Sequence, residues 1–572
     1  MSTPTPESLM ARSALFGSLP ELVRTSVASW MTPVHVPGRE WLFREGDHGD
    51  AFYVVRSGRL EVIKAGLGSV ALLRPGDTLG EVALLEGEVR SAGVRALRDS
   101  ELLRLDRDGF TALLASPAFS GALLQAMSRR LREAGRQGPP GTHHRPVVAV
   151  AHADGVDAAP VLQALTEALR RYGRVTLLTP EDVTADLPAR GDVDPEEAVP
   201  AELRMARMVD DAEQDATMVV IDAGAATTSW SAVCGRQADQ LLLVVGAAGV
   251  PAAARTTVWD GAALVPYVPR PPSLALLGRG GGDAPLVYWV RPGWLRTDVA
   301  RMARRITGRA VGLVLSGGGA RGFAHIGVID ALHSSGVVID RLGGTSVGAL
   351  ISALAASGHS VASMEAICRS ELVERRPFGD WTVPRHALIR GRRAVRMLTR
   401  MLPTADIRQL LHPWFAVTAD LAAATQIVHR DGPVWQAVGF SMSLPGLAPP
   451  QRYRGRLVVD GGVLNNLPVD VMCEDRQGPV VGVDVGRDLH LSGGPHGLPL
   501  VAETLAATMA LGSRGGDAAR REIATLLVEP DLDMGLLDWE SLGRAVQAGR
   551  IATLQALRQA TPEALAALGL PT

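Results

Sequence analysis

Two glycine-lined turns, each set between a short apolar run and a helical stretch, constrain this chain more than any other feature. The first is Ser316-Gly317-Gly318-Gly319-Ala320-Arg321-Gly322, between VGLVL and a helix from about Gly322. The second is Gly344-Thr345-Ser346-Val347-Gly348, between VVIDRLGG and VGALISALAAS. Apolar runs of strand length that alternate with helices belong to a parallel sheet covered on both faces. A GGGxxG loop alone also suits a dinucleotide phosphate. A GxSxG at a strand-to-helix turn is a nucleophile elbow, in which glycines let the chain turn sharply and expose the Ser346 hydroxyl.

The basic residues narrow the chemistry further. Lys64 is the single lysine among 58 lysines and arginines. Beyond it there is no GKS or GKT phosphate loop, no Ser-Lys dyad and no Schiff-base lysine. Sixty acidic residues bring the formal charge to −2, and without a basic excess no nucleic-acid partner is expected. Cys234, Cys368 and Cys473 are far apart, which suggests neither a disulfide framework nor a zinc site and fits a reducing cytoplasm. The N-terminus lacks a basic region followed by an apolar one, so no signal peptide is expected. The apolar stretch from Gln240 to Ala254 contains Pro251 and is too short to span a bilayer. The expectation is a soluble, cytoplasmic protein, with peripheral membrane contact left open and the oligomeric state unassigned.

Three blocks separate along the chain. Residues 1–135 begin with helical text and continue as short, glycine-punctuated strands, the pattern of a β-sandwich or roll. Residues 136–146 contain Pro-Pro-Gly and read as a linker. Residues 147–305 alternate strand and helix (VVAVAHA, APVLQALTEALRRY, RVTLLTP, MVVIDAG, DQLLLVVGA), which predicts a Rossmann-like α/β layer. Residues 306–572 hold the two glycine turns and form a second α/β domain. The fold class expected is therefore multidomain α/β with an N-terminal β-roll.

Within the first block, Gly80-Glu81-Val82-Ala83-Leu84-Leu85-Glu86-Gly87-Glu88-Val89-Arg90-Ser91-Ala92, preceded by EGDHGDAFYVVRSGRLEV, resembles the phosphate-binding cassette of the cyclic-nucleotide-binding domain family. The resemblance covers roughly residues 12–134. A cyclic phosphodiester is a compact monoanion, suited to an arginine fork, a hydroxyl and backbone N–H groups. The resemblance implies that Arg90 and Ser91 hold the phosphate, that Ala92 offers a backbone N–H, that Glu81 accepts the ribose hydroxyl, and that Gly80 permits close approach. The ligand implied is cAMP or cGMP, as an allosteric effector, and Ser91 in place of threonine points to cAMP. Val89 departs from the family's usual proline.

In the third block, GGGARG, then GTSVG about 30 residues later, then Asp460-Gly461-Gly462 together resemble the patatin-like phospholipase family. SMSLPGLAPPQRYRGRLVVDGGVLNNLPVD agrees with it. The pairing with an upstream cyclic-nucleotide-binding block is similar to the bacterial relatives of neuropathy target esterase. The resemblance implies a carboxylic ester hydrolase of phospholipase or lysophospholipase type acting on a lipid acyl ester. Ser346 would be the nucleophile and Asp460 its base, with no histidine relay. Gly317, Gly318 and Gly319 would line an oxyanion hole and Arg321 would order that loop or balance charge. No metal or cofactor is required by this chemistry. Asp460 must be desolvated to serve as a base near neutral pH. His325, one turn into the following helix, is read as structural, and His359, His386, His412 and His429 lack motif context.

The middle block carries weaker signals. His152-Ala153-Asp154-Gly155-Val156 and Val219–Gly224 sit where α/β folds bind ligands, but without a lysine or glycine cradle the reading is a structural or coupling domain. Asp154 and Asp222 are the alternative ligand residues. The rival for the whole chain is a catalytically inactive, cyclic-nucleotide-sensing scaffold.

Overall fold

The computed structural model describes residues 9–10, 13, 15–17, 19–64, 68–86, 89–134, 146–185, 201–273, 286–402, 405–486 and 501–571. The expected linker at 136–146 lies almost wholly outside them. The chain forms two compact units, Met1–Tyr267 and Val268–Thr572.

The first unit opens with a β-roll of two four-stranded antiparallel sheets. One orders Thr32–Val36, Ser100–Asp106, Ala51–Ser57 and Thr78–Leu79; the other orders Trp41–Phe43, Gly93–Ala96, Leu60–Lys64 and Gly68–Leu73. Strand Ala51–Ser57 is covered on both faces. Ala51, Tyr53 and Val55 point into the core between the sheets, while Phe52 and Val54 meet Phe16, Phe110 and Phe119 beneath helices Arg107–Leu114 and Pro117–Ala134. Period-two alternation with apolar residues at both phases has this outcome. The apolar run AFYVVRSGRLEVI breaks at Gly58, and its halves enter different sheets.

Residues 147–266 form a five-stranded, wholly parallel sheet. Its order is Val175–Leu178, Met218–Ala225, Val147–His152, Gln240–Val245 and Ala263–Pro266. This is the Rossmann-like layer expected, and it packs directly against the β-roll. Arg98, wholly buried, donates to Glu213 at 2.9 Å and to Asp239 at 2.7 Å. Arg59 reaches the same two carboxylates, and Gly58 N–H donates to Asp210 at 2.8 Å. The two blocks, separate in the sequence reading, are thus one unit.

The second unit begins earlier than the boundary at 305/306. Helix Leu295–Ile306 buries Val299, Met302, Ala303 and Ile306, and Arg304 pairs with Asp340 of this unit's central sheet at 2.7 Å. That sheet runs Gln451–Tyr453, Arg456–Asp460, Trp414–Asp420, Ile339–Thr345, Val311–Leu315, Val480–Val483, Leu526–Val528, with Thr425–His429 paired to Trp414–Asp420. The five strands from Trp414–Asp420 to Leu526–Val528 are parallel. Helices Ala324–Ser334, Val347–Ala356 and Leu542–Gln559 share one core with the sheet. Among the described residues no single helix is long and apolar enough to cross a membrane.

Candidate active site and nucleotide cassette

Strand register brings the two candidate catalytic residues to one level. Thr345 lies opposite Val417, and Thr418 lies opposite Asp460. Ser346 then follows the end of its strand at φ 56°, ψ −126°, a conformation that costs a non-glycine residue of order 1–3 kcal/mol. Packing holds it there. A Cβ at Gly348 would sit 2.1 Å from the Leu315 carbonyl oxygen, and one at Gly344 2.5 Å from the same atom, so the elbow closes only with glycine at both positions. The Ser346 N–H donates to Ser441 Oγ at 2.9 Å, and Ser441 Oγ donates to the Val417 carbonyl at 2.7 Å.

Asp460 is buried, with Oδ1 accepting the Gly462 N–H at 2.8 Å. Oδ2 has no partner of regular hydrogen-bond geometry. Burial raises this carboxyl to about 6, partly opposed by the nearby Ser346 side chain and the Gly462 N–H. His325 stands apart: its Nε2 donates to the Ser316 carbonyl at 2.9 Å, and burial lowers it to about 4, so the ring is neutral at pH 7. It supports the glycine loop from beneath.

The loop itself divides. The Gly317 N–H donates to the Asn466 carbonyl at 3.3 Å, so Gly317 does not serve as a free donor, contrary to the sequence reading. The N–H groups of Gly318 and Gly319 make no hydrogen bond to the described residues. Arg321, buried, donates to the Leu532 carbonyl at 2.8 Å, and Ala320 N–H donates to the Leu536 carbonyl at 2.8 Å. Arg321 therefore ties the loop to the C-terminal segment.

Ser346, Asp460 and the three glycines line a cleft of about 130 Å³ whose other walls include Phe378, Met442, Leu444, Leu447, Leu536 and Trp539. Trp539 stacks on Phe378 at 5.3 Å and meets Phe323 edge-on at 5.6 Å. An apolar cleft of this kind suits a hydrocarbon chain beside the polar reacting atoms. Ser441, Asn466 and the 536–539 segment were not singled out from the sequence. The text SMSLPG and NNLP around the first two was the available signal.

In the first unit Arg90 is buried among cassette atoms. It donates to the Gly80 carbonyl at 3.1 Å, the Ala51 carbonyl at 2.9 Å and Asp50 at 3.3 Å, and stacks over Phe43 at 4.1 Å. Gly80 must lack a side chain here, since a Cβ would lie 2.7 Å from the Arg90 guanidinium. Glu81 is buried at the start of helix Glu81–Glu86, Ser91 is exposed and Ala92 half-buried. Residues 87 and 88 of the cassette lie outside the described residues. In the middle sheet, Asp222 Oδ1 accepts the Gly224 N–H at 3.0 Å within its own turn, and Asp154 accepts from the Thr227 hydroxyl at 3.3 Å across to the loop after the neighbouring strand.

The fold and the site define a patatin-like phospholipase domain joined to a cyclic-nucleotide-binding β-roll. The patatin-like phospholipase family matches residues 313–472, and the cyclic nucleotide-binding domain family matches residues 33–116. An uncharacterised NTE family protein of Mycobacterium tuberculosis is 35% identical over 561 residues, covering 92% of each chain. The chain belongs to the NTE family. Human patatin-like phospholipase domain-containing protein 6 is 30% identical over 515 residues, 78% of this chain and 37% of that one. The catabolite activator protein of Thermus thermophilus is 32% identical over 28% of this chain and 72% of its own, with a TM-score of 0.20.

Proposed function

We propose that the protein is a serine esterase that hydrolyses acyl esters of phospholipids or lysophospholipids through a Ser346–Asp460 dyad, under the influence of a cyclic nucleotide. The observation that carries the esterase reading is a serine on a strained elbow beside a desolvated carboxylate, in an apolar cleft. Ser346 Oγ attacks the ester carbonyl carbon and its proton passes to Asp460. The oxyanion accepts hydrogen bonds from Gly318 and Gly319, where the loss of one such donor typically costs about 3–4 kcal/mol. The tetrahedral intermediate collapses, and the leaving alcohol takes the proton from Asp460. Water, deprotonated by the same carboxylate, then releases the fatty acid and restores Ser346.

In the β-roll, Arg90 would hold the cyclic phosphate with Ser91 and Ala92, and Glu81 the ribose. The chemistry fits: a buried guanidinium lies beside a close-packed glycine, and an exocyclic phosphate oxygen needs such a fork. The three cysteines form no disulfide, which supports a cytoplasmic site of action. The test is hydrolysis of a panel of phospholipids and lysophospholipids, with and without cAMP or cGMP. Ser346→Ala should abolish hydrolysis while the chain melts cooperatively; retained turnover refutes the nucleophile.

A further inference from the structure

Residues 381–400 carry six arginines and no carboxylate. They follow Phe378, which lines the catalytic cleft. Trp381 pairs with Ile389 in an antiparallel bridge, and Thr382 N–H donates to the Leu388 carbonyl at 2.9 Å, which closes a short hairpin. Ala387 and Ile389 root the hairpin in the protein. On its outer side Trp381 is 63% exposed and Val383 79% exposed, beside exposed Pro384. Helix Arg392–Met401 comes next. It turns Met397, Leu398 and Met401 inward and presents Arg392, Arg393, Arg396 and Arg400 outward with Val395.

The guanidiniums on this face outnumber the carboxylates beside them, Glu371 and Asp380. Among the described residues only Arg400 of the six forms an ion pair, with Glu371, while Asp380 accepts the Arg393 backbone N–H at 3.1 Å. The face is also fixed beside the catalytic cleft. Leu388 and Ile389 N–H groups donate to the Gly446 and Leu447 carbonyls, each at 2.9 Å, and Leu444 and Leu447 line the cleft that holds Ser346. A scattered exposed hydrophobe is ordinary. An exposed tryptophan and valine on one short hairpin, framed by five guanidiniums that form no ion pair among the described residues, have the composition that settles at a membrane–water boundary.

We propose that hairpin 381–389 and the outer face of helix Arg392–Met401 form a docking surface for an anionic lipid bilayer. Arginines would meet the headgroup phosphates, and Trp381, Val383 and Pro384 would enter the boundary region. The cleft wall at Leu444 and Leu447 would then lie beside the lipid from which an acyl ester is drawn. The proposal rests on the lipid-esterase reading for its purpose, though not for its measurement.

The experiment uses the full-length Ser346→Ala chain, so that lipid is not consumed, and sedimentation with vesicles. Vesicles of phosphatidylglycerol mixed with phosphatidylcholine should bind it, vesicles of phosphatidylcholine alone should bind it far less, and the difference should shrink with added salt. Removing three charges by Arg392→Gln, Arg393→Gln and Arg396→Gln should lower partition to the anionic vesicles about 100-fold, at about fivefold per charge. Trp381→Ala with Val383→Ala should lower binding at every salt concentration. Melting temperatures establish that each variant folds. Equal binding to both vesicle types, or a triple-arginine variant that binds like its parent, overturns the proposal. If the unmutated chain binds anionic vesicles but hydrolyses no lipid, the esterase reading fails and the docking surface stands; lipid hydrolysis without preference for anionic vesicles has the reverse meaning.

Discussion

Ser441 holds the backbone of Ser346: its hydroxyl accepts the Ser346 N–H at 2.9 Å and donates to the Val417 carbonyl at 2.7 Å. One side chain thus pins a strained residue to the neighbouring strand. Ser441→Ala leaves a buried N–H and a buried carbonyl without this partner, at about 1–3 kcal/mol. We expect unfolding in urea at a correspondingly lower midpoint. Relaxation of the elbow should also lower kcat about tenfold, equivalent to about 1.4 kcal/mol in the barrier. An unchanged kcat would mean that Gly344 and Gly348 packing alone sets the serine's position.

Asp460 links activity to stability with opposite signs. As the base it must be ionised, and burial raises it to about 6, so kcat/KM should rise through pH 6 and level above it. For stability the folded pKa lies above its ordinary value of 3.8. The folded state therefore binds this proton more tightly than the unfolded chain. That contribution is complete only below the ordinary pKa and is lost as pH rises through about 6. The difference between 3.8 and about 6 corresponds to about 3 kcal/mol. Asp460→Asn should abolish hydrolysis and yet melt higher than the parent at pH 8, with the gain vanishing near pH 4. His325, lowered to about 4, should contribute no limb near pH 6.5. A bell-shaped profile with a histidine limb, or His325→Gln as inactive as Ser346→Ala in a folded chain, would return a histidine to the chemistry.

Arg90 offers the regulatory test. Its fork is already oriented by the Gly80 and Ala51 carbonyls and by Asp50. Arg90→Ala should weaken cAMP binding at least about 100-fold by calorimetry, roughly the 3 kcal/mol of a charge-assisted bidentate contact. Arg90→Lys, which keeps the charge but loses the fork, should fall between. Absence of heat on titrating the unmutated chain with cAMP or cGMP would remove nucleotide sensing from the function.

Some of this was legible because it is written contiguously. The glycine turns around Ser316–Gly322 and Gly344–Gly348 declare a strand, a sharp turn and a helix within a dozen residues. Ser441, Asn466 and Trp539 touch the site from about 100 to 200 residues away, and tertiary packing alone brings them there. Gly317 shows the limit of motif reading: its type was right for an oxyanion donor, but the Asn466 carbonyl takes its N–H. The unit boundary was misplaced for a similar reason. Helix Leu295–Ile306 has no local mark that assigns it to one neighbouring sheet, and Arg304–Asp340 decides the matter.

Arg98 is the corresponding long-range relationship in the first unit. It lies wholly buried in the β-roll and donates to Glu213 and Asp239 of the parallel sheet domain. Neither the β-roll pattern nor the strand–helix alternation required these two blocks to touch. Arg59 reaches the same two carboxylates, so removing Arg98 leaves one guanidinium of the pair facing both of them. Arg98→Met should therefore cost about 3–5 kcal/mol, the usual penalty for removing one partner from a buried ion-pair network. Adding Arg59→Met, Asp239→Leu and Glu213→Leu to that variant should recover part of the loss, because apolar groups then replace both arginines together with both carboxylates, less the Val147 N–H that Asp239 accepts at 2.8 Å. If the β-roll carries a nucleotide signal through this contact, the repaired variant should bind cAMP like its parent while its hydrolysis no longer responds to it. A repaired variant that still responds would place the signal's route elsewhere in the unit.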